Sequence, residues 1–199
     1  YGVNASLGRT IDSFPQVWRL NDAPVRGFES RVGSRTEHRI INQVSIRVWA
    51  GLQQVAVHEF VALQRERAFS PELCYNVTCL LLDTDPRTLS ALALAKQRLP
   101  RLRVRPNPEL RRRARLCERG AGGQRSAGFI AVMEALRVCA KPVHAFNFDP
   151  DCCGKNHSYK YYFTYSSGQK VCCASGRENM HLEKEAMQTL ALLGRLVIH

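Results

Sequence analysis

Nowhere in the 199 residues is there a run of about 20 apolar side chains, so nothing here reads as a membrane-spanning helix or a secretion leader. The chain has no initiator Met either. It opens at "YGVNASLG" and reads as a trimmed domain whose targeting segment lies upstream. Acidic residues are scarce: 17 Asp and Glu stand against 29 Lys and Arg, a formal charge of +12, which turns the search toward anionic partners such as nucleotides, acidic sugars, nucleic acid or anionic lipid. The densest basic stretch, Arg101, Arg103, Arg105, Arg111, Arg112, Arg113 and Arg115, has no interleaved aromatics and so lacks the stacking platform of a nucleic-acid binder. A solvated basic face is the simpler reading. No internal repeat or long linker divides the chain, and its 45% apolar content suits one globular core.

Cysteine is plentiful by contrast. Eight occur, including the adjacent pairs Cys152-Cys153 and Cys172-Cys173, which would be liabilities in a reducing compartment. Three Asn-x-Ser/Thr sequons accompany them, at Asn4, Asn76 and Asn156, and together they favour the secretory pathway. The four paired cysteines with His157 could suggest zinc, but structural zinc ligands prefer two to four intervening residues, and a local disulfide closing a loop of about 20 residues is the better reading.

Short apolar runs alternate with helical patterns. Strands are expected at Val17 to Leu20, at Val44, Ile46 and Val48 (alternating with Ser45 and Arg47), at "EHRII", at Val77 to Leu82, around Leu102 and Val104, at Val143 to Phe148 and at Leu196 to Ile198. Helices are expected from Asp85-Pro86 to Leu99 with Leu89, Leu92 and Leu94 through Leu99 for the buried stripe, after Asn107, from Phe129 to Val138, and from Leu182 to Leu193 with Ala186, Met187, Leu190 and Leu193 on one face. The alternation predicts an α/β fold with a parallel sheet and helices on both faces. In such sheets ligands bind beyond the carboxyl ends of the strands, where Asn21 and Asn42 fall, each offering a donor and an acceptor. Asp83-Thr-Asp85 also follows a strand, as a metal-binding Asp-x-Asp would, although Asp85-Pro86 already reads as a helix cap.

The segment "SLGRTIDSFPQVWRLNDAPVRGFESRVGSRTEHRIIN" resembles the long sialyl motif of animal-type sialyltransferases, with Leu7, Gly8, Ile11, Asp12, Arg19, Asn21, Ala23, Pro24, Gly27, Phe28, Val32, Gly33, Arg35 and Thr36 in register. Asn42 after its strand looks most like the β-galactoside α2,6 branch. Departures are Arg31 in place of Asp, Phe14-Pro15 in place of His-Asp, and the absence of the strand and Cys that begin the motif. "QRSAGFIAVMEALRVCAKPVHAFNF" resembles the short motif, with Ala127 where the family has a hydroxyl residue. There the free N–H groups of a helix N-terminus and the Ser126 hydroxyl suit an anion. "CCGKNHSYKYYFTYSSGQKVCC" resembles the third, aromatic motif.

The resemblance implies a Rossmann-like, mostly parallel, GT-A-variant glycosyltransferase fold lacking its N-terminal strand, in a single catalytic domain over residues 1–199 that is incomplete at the N-terminus. It implies inverting, metal-independent transfer of sialic acid from CMP-sialic acid to a glycoprotein or glycolipid hydroxyl, with no cofactor and no nucleic-acid partner. Asn21, Asn42, Ser126 and Gly128 would hold the donor, and His157 and Tyr159 (or Lys160) would meet its phosphate. The family's base is a His followed five residues later by Glu. Here His181 has Glu183 and Glu185 two and four residues on, and an alignment on Glu183 puts Glu178 at the base position. We assign His181. Cys139 would stand unpaired, since its family partner is not in the chain, while Cys152, Cys153, Cys172 and Cys173 would close the aromatic loop. The setting implied is the Golgi lumen, with a type II membrane anchor upstream. The rival readings are a metal-dependent transferase using Asp83 and Asp85, and an inactive relative that binds anions or glycans without turnover.

Overall fold

The computed structural model describes residues 6–21, 23–53, 70–110, 112, 126–146, 148 and 180–199, the side chains of Met180 and His181 excepted. Their elements run α1 (Gly8–Asp12), β1 (Trp18–Leu20), α2 (Glu29–Val32), β2 (His38–Ile41), α3 (Gln43–Trp49), a 3-10 turn (Pro71–Cys74), β3 (Cys79–Leu81), α4 (Pro86–Arg98), β4 (Val104–Pro106), α5 (Ala127–Val138), β5 (Val143–Ala145), α6 (Met180–Leu192) and β6 (Leu196–Ile198). Strands β1 to β4 form a parallel sheet in sequential order, and β5 pairs with β6, also in parallel. Parallel neighbours need crossovers; the crossover helices α3 and α4 cover one face, and α5, which follows β4, covers the other. Ile41, Cys79, Leu81 and Val104 turn to one side and pack with Ile46, Trp49 and Ala50 of α3 and Ala91, Leu92 and Ala95 of α4. Ile40 and Leu80 turn to the other and meet Ile130 and Ala131 of α5. The opposite flank of α5, Phe129, Val132 and Leu136, packs on Ala145, Leu196 and Met187 of α6.

The α/β architecture is the expected one, and three local readings change. Val44, Ile46 and Val48 do not form a strand: they lie in α3, because Ser45, Ile46, Trp49 and Ala50 make a buried stripe with helical spacing. The residue before it is an Asn whose Oδ1 caps Val44 N–H at 3.0 Å. In α4 the buried positions are Thr88, Ala91, Leu92 and Ala95, all but Leu92 small side chains, while Leu89 is turned outward. Leu193 lies one residue beyond the end of α6 and is exposed.

Six of the long-motif residues, Asp12, Arg19, Val32, Gly33, Arg35 and Thr36, hold the connection between β1 and β2. The guanidinium of buried Arg19 donates to the carbonyls of Val32 (2.8 Å), Gly33 (3.3 Å) and Arg35 (3.0 and 2.7 Å) and to Thr36 Oγ1 (2.9 Å). The Asp12 carboxylate accepts from Ser34 N–H, Ser34 Oγ and Arg35 N–H, and Arg35 donates to the carbonyls of Asp12, Phe14 and Pro15. Gly33 makes this possible: its φ is +76°, and a Cβ there would lie 2.3 Å from Asp12 Oδ1. A long polar loop becomes stable only when its carbonyls are collected by such donors.

At the other sheet, His144 Nδ1 and His199 Nε2 lie 2.8 Å apart, with Phe14 and Phe146 packed on the pair. Burial first, and then the neighbouring His199, hold the His144 imidazole below its ordinary value of 6.5. The unfolded chain therefore takes up this proton more readily than the folded one. The stability is complete above the unfolded pKa and is lost as pH falls through the folded one. Melting temperature should decline on going from pH 7 to pH 5, and His144→Gln should flatten that slope. Hydrogen bonds hold the Asp12 and Asp85 carboxyls below their ordinary 3.8, and at Asp12 those bonds outweigh a larger single opposing effect of burial. Their own acid sensitivity falls below about pH 4 and does not overlap.

Candidate functional site

The carboxyl ends of β1, β2 and β3 are tied into one rim. Asn21, the residue after β1, sits at φ +46°, a left-handed conformation that Asn tolerates better than most residues. Its N–H donates to Ile40 O at 2.7 Å, and its Oδ1 accepts from Asn42 N–H at 3.0 Å. Asn42 caps α3 with its own Oδ1, and the next N–H, of Gln43, donates to Asp83 Oδ2 at 2.9 Å. Beneath them the buried Arg39 donates through Nη1 to the carbonyls of Asn21 (2.7 Å) and Ala23 (3.1 Å). Both carboxamide oxygens are thus used on the backbone. Among the described residues neither Asn side-chain NH2 has a partner, so the rim presents two amide donors in fixed positions.

The short-motif turn has a different arrangement from the one its composition suggests. Ser126 caps α5, its Oγ accepting from Phe129 N–H at 3.1 Å. The anion at this helix N-terminus is the protein's own Glu183 on α6: Oε1 accepts from Ser126 N–H and Oε2 from Ser126 Oγ, each at 2.6 Å. Glu183 is buried and Glu185 is exposed. A carboxylate beside the positive end of a helix, with short charge-assisted bonds, is a favourable pairing. Gly128 serves a close approach too, since a Cβ on it would lie 3.0 Å from the Phe148 ring.

Ala127 packs on the cluster containing Leu20, Leu82 and Leu110, each at or just past the carboxyl end of its strand region. The start of α5 thus belongs to the same hydrophobic cluster as Leu20 and Leu82, which adjoin the strand ends that carry Asn21 and Asp83. Glu183 brings the first turn of α6 there, and the backbone of His181 lies in that turn. His157, Tyr159, Lys160, Glu178, Asn4, Asn156, Cys152, Cys153, Cys172 and Cys173 lie outside the described residues.

Asp83 and Asp85, the Asp-x-Asp candidates, each have a structural task. Asp83 caps α3 as above, and Asp85 caps α4, accepting from Arg87 N–H and Thr88 N–H at 3.1 Å and from Thr88 Oγ1 at 2.6 Å. Cys139, at the end of α5, is a free thiol, and a disulfide not foreseen joins Cys74 to Cys79. Sequence reasoning also passed over Arg39 and the Ser126–Glu183 link. A lone Arg inside the apolar strand "HRII" was the available signal for the first; the second joins residues 57 positions apart and leaves no local trace.

Residues 3–73 match the family model described as glycosyltransferase family 29 (sialyltransferase). Over 40 residues the chain is 55% identical to beta-galactoside alpha-2,6-sialyltransferase 2 of Bos taurus, covering 20% of this chain and 8% of that protein. With CMP-N-acetylneuraminate-beta-galactosamide-alpha-2,3-sialyltransferase 1 of Pan troglodytes it is 23% identical over 98% of this chain and 54% of that protein. It thus spans about half the length of this second relative. The crystal structure of a mammalian sialyltransferase superposes with a TM-score of 0.61 at 19% identity, covering 98% of this chain and 63% of that one. The matched residues 3–73 include the long-motif segment, and over nearly the whole chain the fold is similar to that of the mammalian sialyltransferase.

Proposed function

We propose that this relative of the sialyltransferases binds CMP-sialic acid at the rim formed by Asn21 and Asn42 and transfers the sugar, with inversion and without a metal, to a hydroxyl of a glycoprotein or glycolipid glycan in the Golgi lumen. The observation that carries this reading is the Asn21–Asn42 hydrogen bond across adjacent strand ends, inside the segment that matches the family. Two amide donors held rigidly at a strand-end rim suit the oxygen-rich face of a nucleotide sugar. Ser126 and Gly128 form the second wall of the donor site, His157 and Tyr159 meet the phosphate, and His181 accepts the proton of the attacking hydroxyl as the bond to CMP breaks. The capping bonds already made by Asp83 and Asp85 count against a metal-bridged diphosphate between them.

The buried seat of Glu183 favours a second reading. If Glu183 is the family's motif Glu, Glu178 rather than a His occupies the base position, which leaves either a Glu base or, given the departure from the family's His–Glu spacing, a relative that binds donor or glycan without turnover.

Transfer of labelled sialic acid from CMP-sialic acid to a desialylated glycoprotein, measured with and without EDTA beside CMP binding, separates the readings. Transfer that survives EDTA is the expected result. CMP binding with no transfer supports the second reading, and EDTA-sensitive transfer from a nucleoside-diphosphate sugar would replace both with an Asp-x-Asp enzyme.

A further inference from the structure

Each strand of the larger sheet runs at its carboxyl end into an Asn or Asp: Asn21 after β1, Asn42 after β2, Asp83 two residues past β3, and Asn107 after β4. Parallel register sets Ile41 beside Leu81 and Leu81 beside Pro106, so the next row is Asn42, Leu82 and Asn107. The two asparagines of that row stand two strand spacings, about 10 Å, apart. Backbone bonds carry the ladders on into it: Leu82 N–H donates to Ile41 O at 2.9 Å, and Asn107 N–H to Leu81 O at 3.1 Å. Leu110, one turn beyond Asn107, is buried in the cluster that also holds Leu82 and Ala127. The backbone that carries Asn107 is therefore anchored on both sides.

Its side chain is not. The residues that open α3, α4 and α5, namely Asn42, Asp85 and Ser126, each accept an N–H from the turn they begin. Asn107 holds the same place before the helical turn of residues 108–110, and its carbonyl accepts from Leu110 N–H at 3.3 Å. Yet its half-exposed carboxamide hydrogen-bonds to no described residue. A capping side chain left out of its cap keeps an oxygen acceptor and two N–H donors for something else.

We infer that Asn107 is a specificity residue of the rim, hydrogen-bonding the hydroxyls of the neutral acceptor sugar. The inference rests on the proposed donor site at Asn21 and Asn42. With the donor there, the attacking sugar lies beside it along the rim. Toward β4 the Asp83 carboxylate is already turned to Gln43 N–H, and the next side chain with open hydrogen-bonding groups is Asn107. An uncharged group that both donates and accepts matches the paired hydroxyls of a sugar ring, whereas the phosphate and carboxylate of the donor call for donors alone.

The test compares the full 199-residue chain with its Asn107→Ala and Asn107→Asp variants in sialyl transfer to the neutral oligosaccharide released from a desialylated glycoprotein, with acceptor and CMP-sialic acid varied in turn. We expect Asn107→Ala to raise the acceptor KM about tenfold, as for the loss of one or two hydrogen bonds. The KM for CMP-sialic acid and the melting temperature should not change, since the side chain bonds to nothing in the described fold. Asn107→Asp keeps an acceptor oxygen, loses both N–H donors and should fall between. An unchanged acceptor KM overturns the inference. So does a rise confined to CMP-sialic acid, which would assign Asn107 to the donor, and so does a melting temperature lowered by several degrees, which would show the carboxamide spent inside the fold. Saturation-transfer NMR of the same oligosaccharide in the presence of CMP needs no turnover. If the unaltered chain binds it without transfer and Asn107→Ala weakens that binding, the proposed function fails and this inference stands; equal binding by the two, or binding by neither, overturns it.

Discussion

Glu183→Ala should lower the unfolding free energy by about 2–4 kcal/mol, the range for removing a buried, charge-bonded partner, and should abolish sialyl transfer if the proposed function holds. The carboxylate takes two 2.6 Å hydrogen bonds, from the Ser126 N–H and hydroxyl, at the N-terminus of α5. Truncation leaves two half-buried donors without their acceptor and takes away the negative charge that complements the helix. It also frees the first turn of α6, where His181 lies, from its anchor on the short motif. Glu183→Gln keeps one acceptor and should recover part of the stability. Ser126→Ala should cost about 1 kcal/mol as a lost cap, and the double variant should cost less than the sum, with a coupling of about 1–3 kcal/mol. Chemical denaturation of the four proteins measures the cycle. Additive losses would show that the contact carries no coupling, and with it would go the view that α6 is positioned through Ser126.

The second large effect is kinetic. His181→Ala is expected to reduce transfer by about 10²–10⁴-fold, the usual contribution of a positioned general base, while CMP binding stays within a factor of two or three. An imidazole titrates near neutrality and can take the acceptor's proton in the step that breaks the bond to CMP. Glu178→Gln is the matching control, because the alignment through Glu183 puts Glu178 in the same role. If His181→Ala turns over normally and Glu178→Gln does not, the base is Glu178 and the assignment of His181 fails. Thermal unfolding of both variants separates lost chemistry from lost fold, and a KM that rises with unchanged kcat would point to acceptor binding instead.

The parts of the fold legible from the chain were those whose signals are local. Asp85 followed by Pro86 marked the start of α4, and the structure has Asp85 capping Arg87 and Thr88 there. The apolar run to Leu82 marked β3, buried on both faces between α3 and α4 on one side and α5 on the other. In α3 the local signals conflicted: Val44, Ile46 and Val48 alternate as in a strand, and β-branched residues suit one. The helix prevails because Trp49 and Ala50 share a face with Ser45 and Ile46 that α4 covers, and because Asn42 and Asp83 both take N–H groups from its first turn. Asp83 arrives from 40 residues away and leaves no mark on the sequence near α3.

The candidate site divides in the same way. Asn21 and Asn42 could be placed at strand ends by pattern alone, since both directly follow apolar runs that become β1 and β2. Their contact with each other depends on parallel register, with Leu20 opposite Ile40. Ser126 could be seen as a helix cap, but its anion could not: the vacancy that composition suggests for a ligand is filled by a carboxylate from α6. Asp12, Arg19, Gly33 and Arg35 belong to the motif that suggests donor binding, yet the structure employs them in shaping the loop.

By itself, then, the order of residues determined the alternation of strands and helices, the basic charge, the richness in cysteine and the family resemblance, because periodicity, caps and motifs act within a few positions of one another. Tertiary structure alone decided that α3 is a helix, that Glu183 closes the turn at Ser126, that Arg39 supports Asn21, and that Cys74 pairs with Cys79 beneath an exposed sequon. Each of those outcomes depends on burial and on hydrogen-bonding groups brought together by folding, and the free energy of such a contact belongs to the pair in place rather than to either residue in the chain.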